Sequence, residues 1–299
     1  MEETISFLKN NDIYFTESED LKLRSSFRIG QKADLAIFPD SDEKLIKTVL
    51  FFKKRSVKYL ILGRCSNVLF PDYNINYPLI FTDRLISLQF DDDNPNYLIC
   101  DSGVSLAKLV NFAAQYGFGG MEFAGGIPGS VGGAVCMNAG AYGKNISDVL
   151  LWTDYINQDG KILKISNKEH SFGYRKSIFT NNDVIIRSCF FMKKMDISDI
   201  KNEIRTLSLK RRNSQPLEFP SAGSVFKRPD GYYVGAMVDE CGLKGFNIGG
   251  AEVSKKHSGF IINTGNATAS DVKELISFVR QKVYDKFKVN LECEIRFID

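Results

Sequence analysis

The sequence has few of the residues that most metal centres and disulfide frameworks require. Its 299 residues include only two histidines, and its six cysteines stand singly, with no Cys-x-x-Cys pair. This composition excludes zinc-finger spacing. We therefore predict six reduced cysteines, most of them small core residues, and no metal site.

The chain also lacks the features of nucleic-acid-binding, membrane and exported proteins. Its 39 Lys and Arg residues against 36 Asp and Glu residues leave a net charge of only +3, far from the concentrated basic surface that nucleic acids require. No apolar run is long enough to span a membrane, and the start, MEETISFLKNND, has acidic residues where a signal peptide needs basic ones. We expect a cytoplasmic protein that binds no nucleic acid, does not insert into a membrane and needs no obligate protein partner.

Two standard nucleotide fingerprints are absent, although glycine is concentrated in one segment. Residues 116–143 hold 10 of the 24 glycines, but the chain has no Walker A motif and no G-x-G-x-x-G between a strand and a helix. Such density indicates backbone that turns tightly or approaches a ligand. In LILGRCSNVLF, Gly63, Ser66 and Asn67 follow an apolar strand, where successive N–H groups can bind an anion. Tight turns explain either loop alone, whereas the pair favours a dinucleotide ligand.

The pattern of apolar residues divides the chain into three regions. The first, 33–82, reads as strand, helix and strand, with the helix at 42–55. The second, 97–195, begins with a strand and a helix and continues as β structure. From about Asp199 a helix leads to PSAGSVFKRPDG, and a last helix and strand follow. The sequence thus predicts an α+β protein of three units.

The C-terminal helix and strand have clear periodicity. Apolar residues at helical spacing in ATASDVKELISFVRQKVYDKF predict a helix capped by Ser270, with Asp271 near its positive end. The alternation in LECEIRFI predicts a strand with Glu294 and Arg296 on one polar face. Spacing alone favours a solvent-facing ion pair there, which contributes little to stability.

Six motifs in order resemble the UDP-N-acetylenolpyruvoylglucosamine reductase family, also called UDP-N-acetylmuramate dehydrogenases. The resemblance runs from about residue 24 to the end and rests on LGRCSNVLF, EFAGGIPGSVGGAVCMNAGAYG, FGYRKSIF, PSAGSVFKRP, GLKGFNIGGAEVSKKHSGFIINTGNATASDV and LECEIRFI. It implies an FAD-binding domain of the vanillyl-alcohol-oxidase type in two α/β subdomains. It also implies a C-terminal α+β substrate-binding domain whose final strand returns to the active site. The corresponding ranges are 1–82, 83–198 and 199–299.

The same resemblance implies the site residues. The catalytic positions match Arg175, Ser224 and Glu294. The FAD loops match Gly63, Arg64, Cys65, Ser66, Asn67, Gly126, Ile127, Pro128, Gly129, Ser130 and Gly133. Cys65 stands where the family usually has glycine, which leaves the local turn geometry open but not the cradle of N–H groups. Substrate-binding positions match Tyr174, Arg211, Arg212, Arg228, Lys244 and Arg296, with the register between Arg211 and Arg212 open.

The reaction that the resemblance implies belongs to peptidoglycan precursor synthesis. NADPH reduces a non-covalently bound FAD, and the flavin then reduces UDP-N-acetylglucosamine enolpyruvate to UDP-N-acetylmuramate. Hydride reaches C3 of the enolpyruvyl group, and Ser224 protonates C2. A serine without a histidine partner is a poor nucleophile, but it can donate a proton to a basic carbon. Arg175 and Glu294 stabilise the charge that develops on the substrate.

Some members of the family carry an extra tyrosine-bearing loop after the GYR motif. In this chain GYRKSIF is followed by one strand, DVIIRSCFFM, and then by a helix, so the chain resembles the shorter subtype. Two other functions stay open. One is an FAD oxidase of the same fold that acts on another small molecule, and the other is a non-catalytic nucleotide-binding protein.

Overall fold

The computed structural model describes residues 1–180 and 182–299 and confirms a mixed α+β fold. The α-helices in these residues are α1 (Glu2–Asn10), α2 (Leu21–Arg24), α3 (Asp42–Lys54), α4 (Leu106–Gln115), α5 (Val131–Cys136), α6 (Ile197–Ser214), α7 (Val234–Glu240) and α8 (Ala269–Phe287). None of the helices described for these residues combines the length and apolar character needed to cross a membrane.

Among the described residues the strands range from two residues to eight, and β13 is the longest. They are β1 (Tyr14–Asp20), β2 (Lys32–Phe38), β3 (Leu60–Leu62), β4 (Val68–Leu69), β5 (Leu79–Phe81), β6 (Leu88–Phe90), β7 (Tyr97–Asp101), β8 (Phe118–Gly119), β9 (Gly140–Ala141), β10 (Lys144–Asn145), β11 (Leu150–Ile156), β12 (Ile162–Ser166), β13 (Val184–Phe191), β14 (Lys193–Lys194), β15 (Asn247–Ile248), β16 (Ala251–Val253), β17 (Ile261–Asn263) and β18 (Arg296–Phe297). Only β14 lies between β13 and α6, so no tyrosine-bearing insertion separates them.

The strand, helix and strand predicted within 33–82 are confirmed as β2, α3 and β3. The helix begins after Ser41, whose Oγ accepts a hydrogen bond from Lys44 N at 3.3 Å. A hydroxyl cap of this kind satisfies one of the free N–H groups of the first turn. The buried face of α3 carries Val49 and Phe52, which are both fully buried. The amphipathic spacing that predicts the helix is therefore also what holds it in the core.

The chain folds into two compact units, each made of discontinuous stretches. Unit 1 comprises Met1–Glu17, Leu35–Arg64 and Tyr77–Leu209. Unit 2 comprises Ser18–Asp34, Cys65–Asn76 and Lys210–Asp299. The division of function among 1–82, 83–198 and 199–299 stays a prediction.

Unit 1 contains two larger sheets, beside the two-stranded pairs β9-β10 and β8-β14. In the first, β5 pairs in parallel with β2 and with β3. The second is antiparallel in the order β12-β11-β13-β7-β6. Leu109 of α4, Val131 of α5 and Phe190 of β13 belong to one buried apolar cluster. Burial of these side chains fixes α5, and the glycine-rich loop before it, against the sheet.

Three aspartates lie around Arg187 in the antiparallel sheet of unit 1. Arg187 of β13 is paired with Asp101 of β7 and with Asp154 of β11. Its Nε donates to Asp154 Oδ2 at 2.9 Å, and its Nη1 lies 3.9 Å from Asp42 Oδ2. Burial, with a further contribution from Asp42, raises the pKa of Asp101 to about 6. The guanidinium of Arg187 is thus shared by three carboxylates. The negative charge of Asp101 is the least well compensated of the three.

We expect Asp101→Asn to stabilise the protein at pH 7. Because the folded-state pKa of Asp101 lies above its ordinary value of 3.8, the folded chain holds this proton more tightly than the unfolded chain. The free energy of unfolding therefore falls as the pH rises from 3.8 to about 6. Asparagine still accepts the hydrogen bond that Ser87 N donates to Asp101 Oδ2 at 2.8 Å. The gain is on the order of 1–2 kcal/mol, allowing for solvent screening, and thermal unfolding measures it.

The control for this variant is Asp92→Asn, which changes an exposed aspartate in the turn at 91–95. Its Tm should match that of the parent protein. The advantage of Asp101→Asn should shrink as the pH is lowered to about 4.5, because the parent carboxyl is then protonated in the folded state. If Asp101→Asn gained the same stability at both pH values, the buried, ionised carboxylate could not be the cause of the gain.

Unit 2 is built around α8 and a small antiparallel sheet. β16 pairs with β15 on one side and with β17 on the other. Val272 and Val279 of α8 share a buried apolar cluster with Val225 and Ile295. The helix is therefore scaffold, as its periodicity predicts, and it packs in the same core as the segments that carry Ser224 and Glu294.

The predicted N-cap of α8 is wrong by two residues. The cap is Thr268, whose Oγ1 accepts from Asp271 N at 3.0 Å while Asp271 Oδ2 accepts from Thr268 N at 3.0 Å. This reciprocal capping box satisfies two N–H groups at once, which a cap at Ser270 would not achieve. Asp72 accepts hydrogen bonds from Ala269 N and Ser270 N, so Ser270 lies inside the first turn.

The final segment, LECEIRFI, is not one regular strand. Its first part pairs with the segment after Ser224: Lys227 N donates to Glu292 O, and Glu294 N donates to Val225 O, both at 2.8 Å. The backbone bends at Ile295, and β18 then pairs in parallel with β4. The two halves of the segment therefore have different partners.

The bend breaks the predicted alternation of buried and exposed residues. Phe297, expected in the core, is 37% exposed, whereas Ile298 is buried. Glu294 is half-buried and Arg296 is exposed. The prediction of one continuous polar face for Glu294 and Arg296 is therefore wrong, because each residue lies in a different strand pairing.

Candidate active site

In unit 1 the glycine-rich loop leads into α5 and contacts the loop of Gly63. Ser130 is the N-cap of α5, and its Oγ accepts a hydrogen bond of 3.5 Å from Gly133 N. A Cβ on Gly63 would clash with Ser130 Oγ, so a side chain at this position would push the hydroxyl out of its capping position. Gly126 and Gly133 are exposed. This open backbone, free of side chains, fits the phosphates of a dinucleotide such as FAD.

The other residues of unit 1 that are predicted to contact FAD belong to the same two loops. Arg64 and Pro128 are exposed, whereas Ile127 and Gly129 are half-buried. Leu106 N donates to Gly129 O at 3.0 Å, which ties the loop to the start of α4. The loop is therefore held from both of its ends, by α4 and by α5.

Cys65, in unit 2, has a backbone conformation that favours glycine. Its φ is 49°, in the left-handed region, and its side chain is buried. That conformation costs an L-residue roughly 1–2 kcal/mol. Its carbonyl accepts hydrogen bonds from Ser26 N and Ser26 Oγ, both at 3.3 Å. A cysteine at this position therefore adds backbone strain to the turn.

Asn67 links the predicted cofactor loop to the segment of Glu294. Its Nδ2 donates to Glu294 O at 3.0 Å, and its carbonyl accepts from Arg296 N at 3.0 Å. Ser66, beside it, is half-buried. The sequence predicts only a cofactor contact for Asn67, because these partners are more than two hundred residues away along the chain.

Ser224 and Glu294 lie in neighbouring segments of unit 2. Ser224 pairs with Phe260, and the next residue, Val225, donates its N–H to Gly259 O at 2.9 Å. On the other side, Val225 O accepts from Glu294 N at 2.8 Å. Both predicted catalytic side chains of this unit are half-buried. Backbone pairing on two sides thus fixes the Ser224 segment.

Arg175 of unit 1 occupies a two-residue hairpin loop. Gly173 N donates to Lys176 O at 3.0 Å, and Lys176 N donates to Gly173 O at 3.2 Å. Arg175 has a φ of 54°, which is uncommon and strained for a residue other than glycine. Its Nη2 donates to Gly140 O at 3.2 Å, and its guanidinium lies 5.0 Å from the ring of the exposed Tyr174. Strain of this kind persists only where surrounding contacts hold it.

Two residues that the sequence does not single out hold this hairpin. Asn138 is buried, and its Nδ2 donates to Gly173 O at 3.0 Å while its Oδ1 accepts from Ser147 N at 3.0 Å. Ser177 Oγ donates to Cys136 O at 2.7 Å. A single polar residue within the otherwise apolar CMNAG is the only sequence signal for Asn138, since its partners depend on the tertiary fold.

The predicted phosphate-binding cations of unit 2 are accessible. Arg228 is exposed; its Nε donates to Tyr232 O at 3.2 Å, and its guanidinium lies 3.8 Å from the ring centre of Tyr233. Lys244 is exposed, with Nζ 3.9 Å from Asp239 Oδ1. Exposed cations of this kind can meet a diphosphate without losing a buried partner.

Arg211 and Arg212 are consecutive residues near the end of α6. Arg211 is half-buried and Arg212 is exposed, and Lys256 Nζ donates to Arg212 O at 2.7 Å. Within the described ranges, 1–180 and 182–299, no group of three or more His, Cys, Asp and Glu side chains is arranged to hold a metal ion.

Two family models match the chain. Residues 33–166 match an FAD binding domain. Residues 215–298 match the C-terminal domain of UDP-N-acetylenolpyruvoylglucosamine reductase. The FAD-binding part and the C-terminal part expected from the resemblance are thus both present.

Curated relatives and a solved structure agree with these matches. The UDP-N-acetylenolpyruvoylglucosamine reductase of Caldanaerobacter subterraneus is 39% identical over 292 residues, which are 97% of this chain and 95% of the relative. That of Syntrophomonas wolfei is 41% identical over 288 residues, 94% of each chain. The crystal structure of the Thermus caldophilus UDP-N-acetylenolpyruvylglucosamine reductase has a TM-score of 0.80 and 30% identity, covering 96% of this chain and 99% of that one.

Proposed function

Because this chain belongs to the UDP-N-acetylenolpyruvoylglucosamine reductase family, we propose that it performs this reduction with Arg175, Ser224 and Glu294 as its catalytic residues. The chain is an FAD-dependent oxidoreductase of peptidoglycan synthesis. The proposal adds NADPH as the electron source and UDP-N-acetylglucosamine enolpyruvate as the substrate that becomes UDP-N-acetylmuramate.

One observation carries the assignment of residues. The hydrogen bond from Glu294 N to Val225 O, at 2.8 Å, joins the segment of Glu294 to the segment of Ser224. A serine and a carboxyl group from distant parts of the sequence thus lie in adjacent, half-buried segments. This juxtaposition is what a proton-transfer site needs, and a serine in a plain surface turn would not require it.

Ser224 is assigned the proton that goes to carbon. When bound, FAD supplies the hydride, from N5 to C3 of the enolpyruvyl group, which leaves enolate character at C2. Ser224 Oγ then donates its proton to C2, and a new C–H bond forms as the O–H bond breaks. A hydroxyl is a weak acid, but an enolate carbon is basic enough to take its proton when the geometry is fixed.

Arg175 and Glu294 are assigned to the charge that grows on the substrate carboxylate. A guanidinium offers several N–H donors in a fixed plane and stabilises such charge electrostatically. Glu294 is assigned as a hydrogen-bond donor to this charge in its protonated form. The strained backbone of Arg175 supports a functional role, because strain is retained where it serves a site.

The diphosphate of the substrate is assigned to the cations of unit 2. These are Arg228, Lys244 and either Arg211 or Arg212, with Arg296 beyond the bend at Ile295. Tyr174, beside Arg175 in unit 1, is proposed separately as a substrate contact. The ring of Tyr233 beneath Arg228 supports this role, because stacking orients a guanidinium without neutralising it. The FAD phosphates are assigned to the loops around Gly63 and Gly126–Gly133.

Two measurements test the function and separate it from its alternatives. Purified protein should show the flavin absorption bands, which a non-catalytic nucleotide-binding protein would lack. It should then oxidise NADPH only when UDP-N-acetylglucosamine enolpyruvate is added. Oxidation of another small molecule with oxygen as the acceptor, and none with the enolpyruvyl sugar, would instead identify an oxidase.

The bound flavin is expected to leave the polypeptide completely on acid precipitation, because His170 and His257 both lie outside the two predicted flavin loops. His170 is fully buried, and His257 Nδ1 accepts a hydrogen bond from Gly259 N at 3.1 Å. Cys65 is also buried, and no cysteine has a precedent in this family for attaching the flavin. Yellow colour retained in the washed protein pellet would show a covalent link and overturn this expectation.

A further inference from the structure

His170 lies under the hairpin that carries Arg175, in a closed network of hydrogen bonds. The side chain is fully buried, so it touches neither solvent nor any ligand. Its Nδ1 lies 2.8 Å from Ser166 O, and its Nε2 lies 2.9 Å from Thr153 Oγ1. Thr153 Oγ1 in turn lies 3.1 Å from Ser188 Oγ. The network thus joins the turn after β12 to β11 and β13.

The chemistry of the partners determines where each proton lies. Ser166 O is a carbonyl and only accepts, so Nδ1 of His170 carries the proton and donates it. Nε2 is then the acceptor and takes a hydrogen bond from the Thr153 hydroxyl, which accepts from Ser188. Burial lowers the pKa of His170, so the ring is neutral at neutral pH, as this order requires. The donor and the acceptor of each hydrogen bond in the network are then defined.

The same histidine fixes the base of the hairpin. Ile178 N donates to His170 O at 2.8 Å. This bond connects the segment that follows the hairpin loop to the turn after β12. The imidazole stacks on Phe172, with ring centres 4.8 Å apart, and meets Phe179 edge-on at 5.4 Å. The strained loop with Arg175 therefore extends from a base that is clamped between two aromatic rings and anchored to the sheet.

We propose that His170 is a positioning residue for Arg175, acting through the Thr153 and Ser188 hydroxyls below it and the hairpin above it. This inference rests on the proposed function of Arg175. The hydrogen bonds and ring contacts of His170 fix the base of the hairpin. They thereby hold the unfavourable backbone of Arg175 in one conformation. The guanidinium is thereby presented in a fixed place, where an error of about 1 Å can cost a hundredfold in rate.

The test compares three variants of the flavin-bound protein. His170→Phe keeps the ring and its stacking but removes both hydrogen bonds. His170→Gln places an amide near the Nε2 position and keeps the bond to Thr153, whereas His170→Asn keeps the local bond to Ser166. We expect reoxidation of the reduced flavin by the enolpyruvyl substrate to slow on the order of tenfold to a hundredfold in His170→Phe. His170→Gln should recover more of the rate than His170→Asn, and flavin reduction by NADPH should be unchanged in all three.

Ile156→Val is the control for lost stability, since it removes one buried methylene group from β11, the strand that carries Thr153. It should lower Tm without slowing reoxidation. If His170→Phe binds flavin, stays folded and reoxidises at the parent rate, the positioning role is wrong. Amide hydrogen exchange at 173–178 should accelerate in His170→Phe and not in Ile156→Val; equal exchange in the two would also overturn the proposal.

A spectroscopic readout is independent of the enzyme's activity. The chain has only two histidines, and they should show opposite tautomers in a ¹⁵N spectrum. His170 should carry its proton on Nδ1, whereas His257 should carry it on Nε2, because its Nδ1 accepts from Gly259 N. A spectrum in which both histidines carry the proton on Nε2 would contradict the network, independently of the enzyme's activity. If the parent protein failed to reduce the enolpyruvyl sugar, the proposed function would fail while this spectrum still tested the network.

Discussion

Ser224→Ala is expected to leave reduction of the flavin by NADPH near normal and to slow its reoxidation by the enolpyruvyl substrate roughly a hundredfold to ten-thousandfold. Only the second half-reaction delivers a proton to carbon, so only that half needs the hydroxyl. Stopped-flow absorbance follows each half-reaction separately. Alanine fits the site, because Ser224 is held through its backbone and the pairing with Phe260 does not involve the side chain.

The controls for this variant come from the same segment. Ser221→Ala removes a hydroxyl three residues earlier and should reoxidise like the parent enzyme. Ser224→Cys keeps a group that can donate a proton and should recover part of the rate. If Ser224→Ala were reoxidised as fast as the parent enzyme, another group would supply the proton, and the serine would be only a small residue in a turn.

Glu294→Gln is expected to lower turnover by about a hundredfold to a thousandfold while changing the affinity for the substrate only a few-fold. The role of Glu294 is assigned to the transition state, and interactions made only there change kcat rather than binding. Glutamine has nearly the same shape, and the backbone bonds of Glu294 to Val225 and Asn67 stay in place. Flavin content and flavin reduction by NADPH should therefore match the parent enzyme.

Glu292→Gln is the matched control, because it makes the same substitution in the same segment at an exposed position. Glu292 pairs with Lys227, and the loss of a surface pair of this kind has a small effect. Turnover of Glu292→Gln should stay within a few-fold of the parent. Loss of flavin or failure to fold in Glu294→Gln, with Glu292→Gln normal, would mean that Glu294 is a structural residue.

The sequence alone was sufficient for the family and for the α+β fold class, because six motifs occur in the family's order. The roles of the site residues that these motifs name stay predictions. Helical periodicity also identified α3 and α8. Apolar residues at helical spacing, such as Val49 and Phe52, form one face of the helix, and that face is buried. The departure at Cys65 was visible in the sequence, but its positive φ was not.

The tertiary structure decided what depends on partners far away in the chain. Serine ranks above threonine as an N-cap, which favours Ser270, but Asp72, nearly two hundred residues away, accepts from Ala269 N and Ser270 N and so places Ser270 inside the first turn. The bend in LECEIRFI arises because its halves pair with different segments, which no local alternation can reveal.

The hairpin of Arg175 shows the same division. Its sequence identifies Arg175 as a site residue, but not the buried imidazole, amide and hydroxyl groups that hold its strained backbone. Asn138 and His170 satisfy their hydrogen bonds with groups from other elements, and a buried polar group must find such partners wherever the fold provides them. Hydrogen bonds of this kind are set by three-dimensional proximity, so they became visible only in the folded chain.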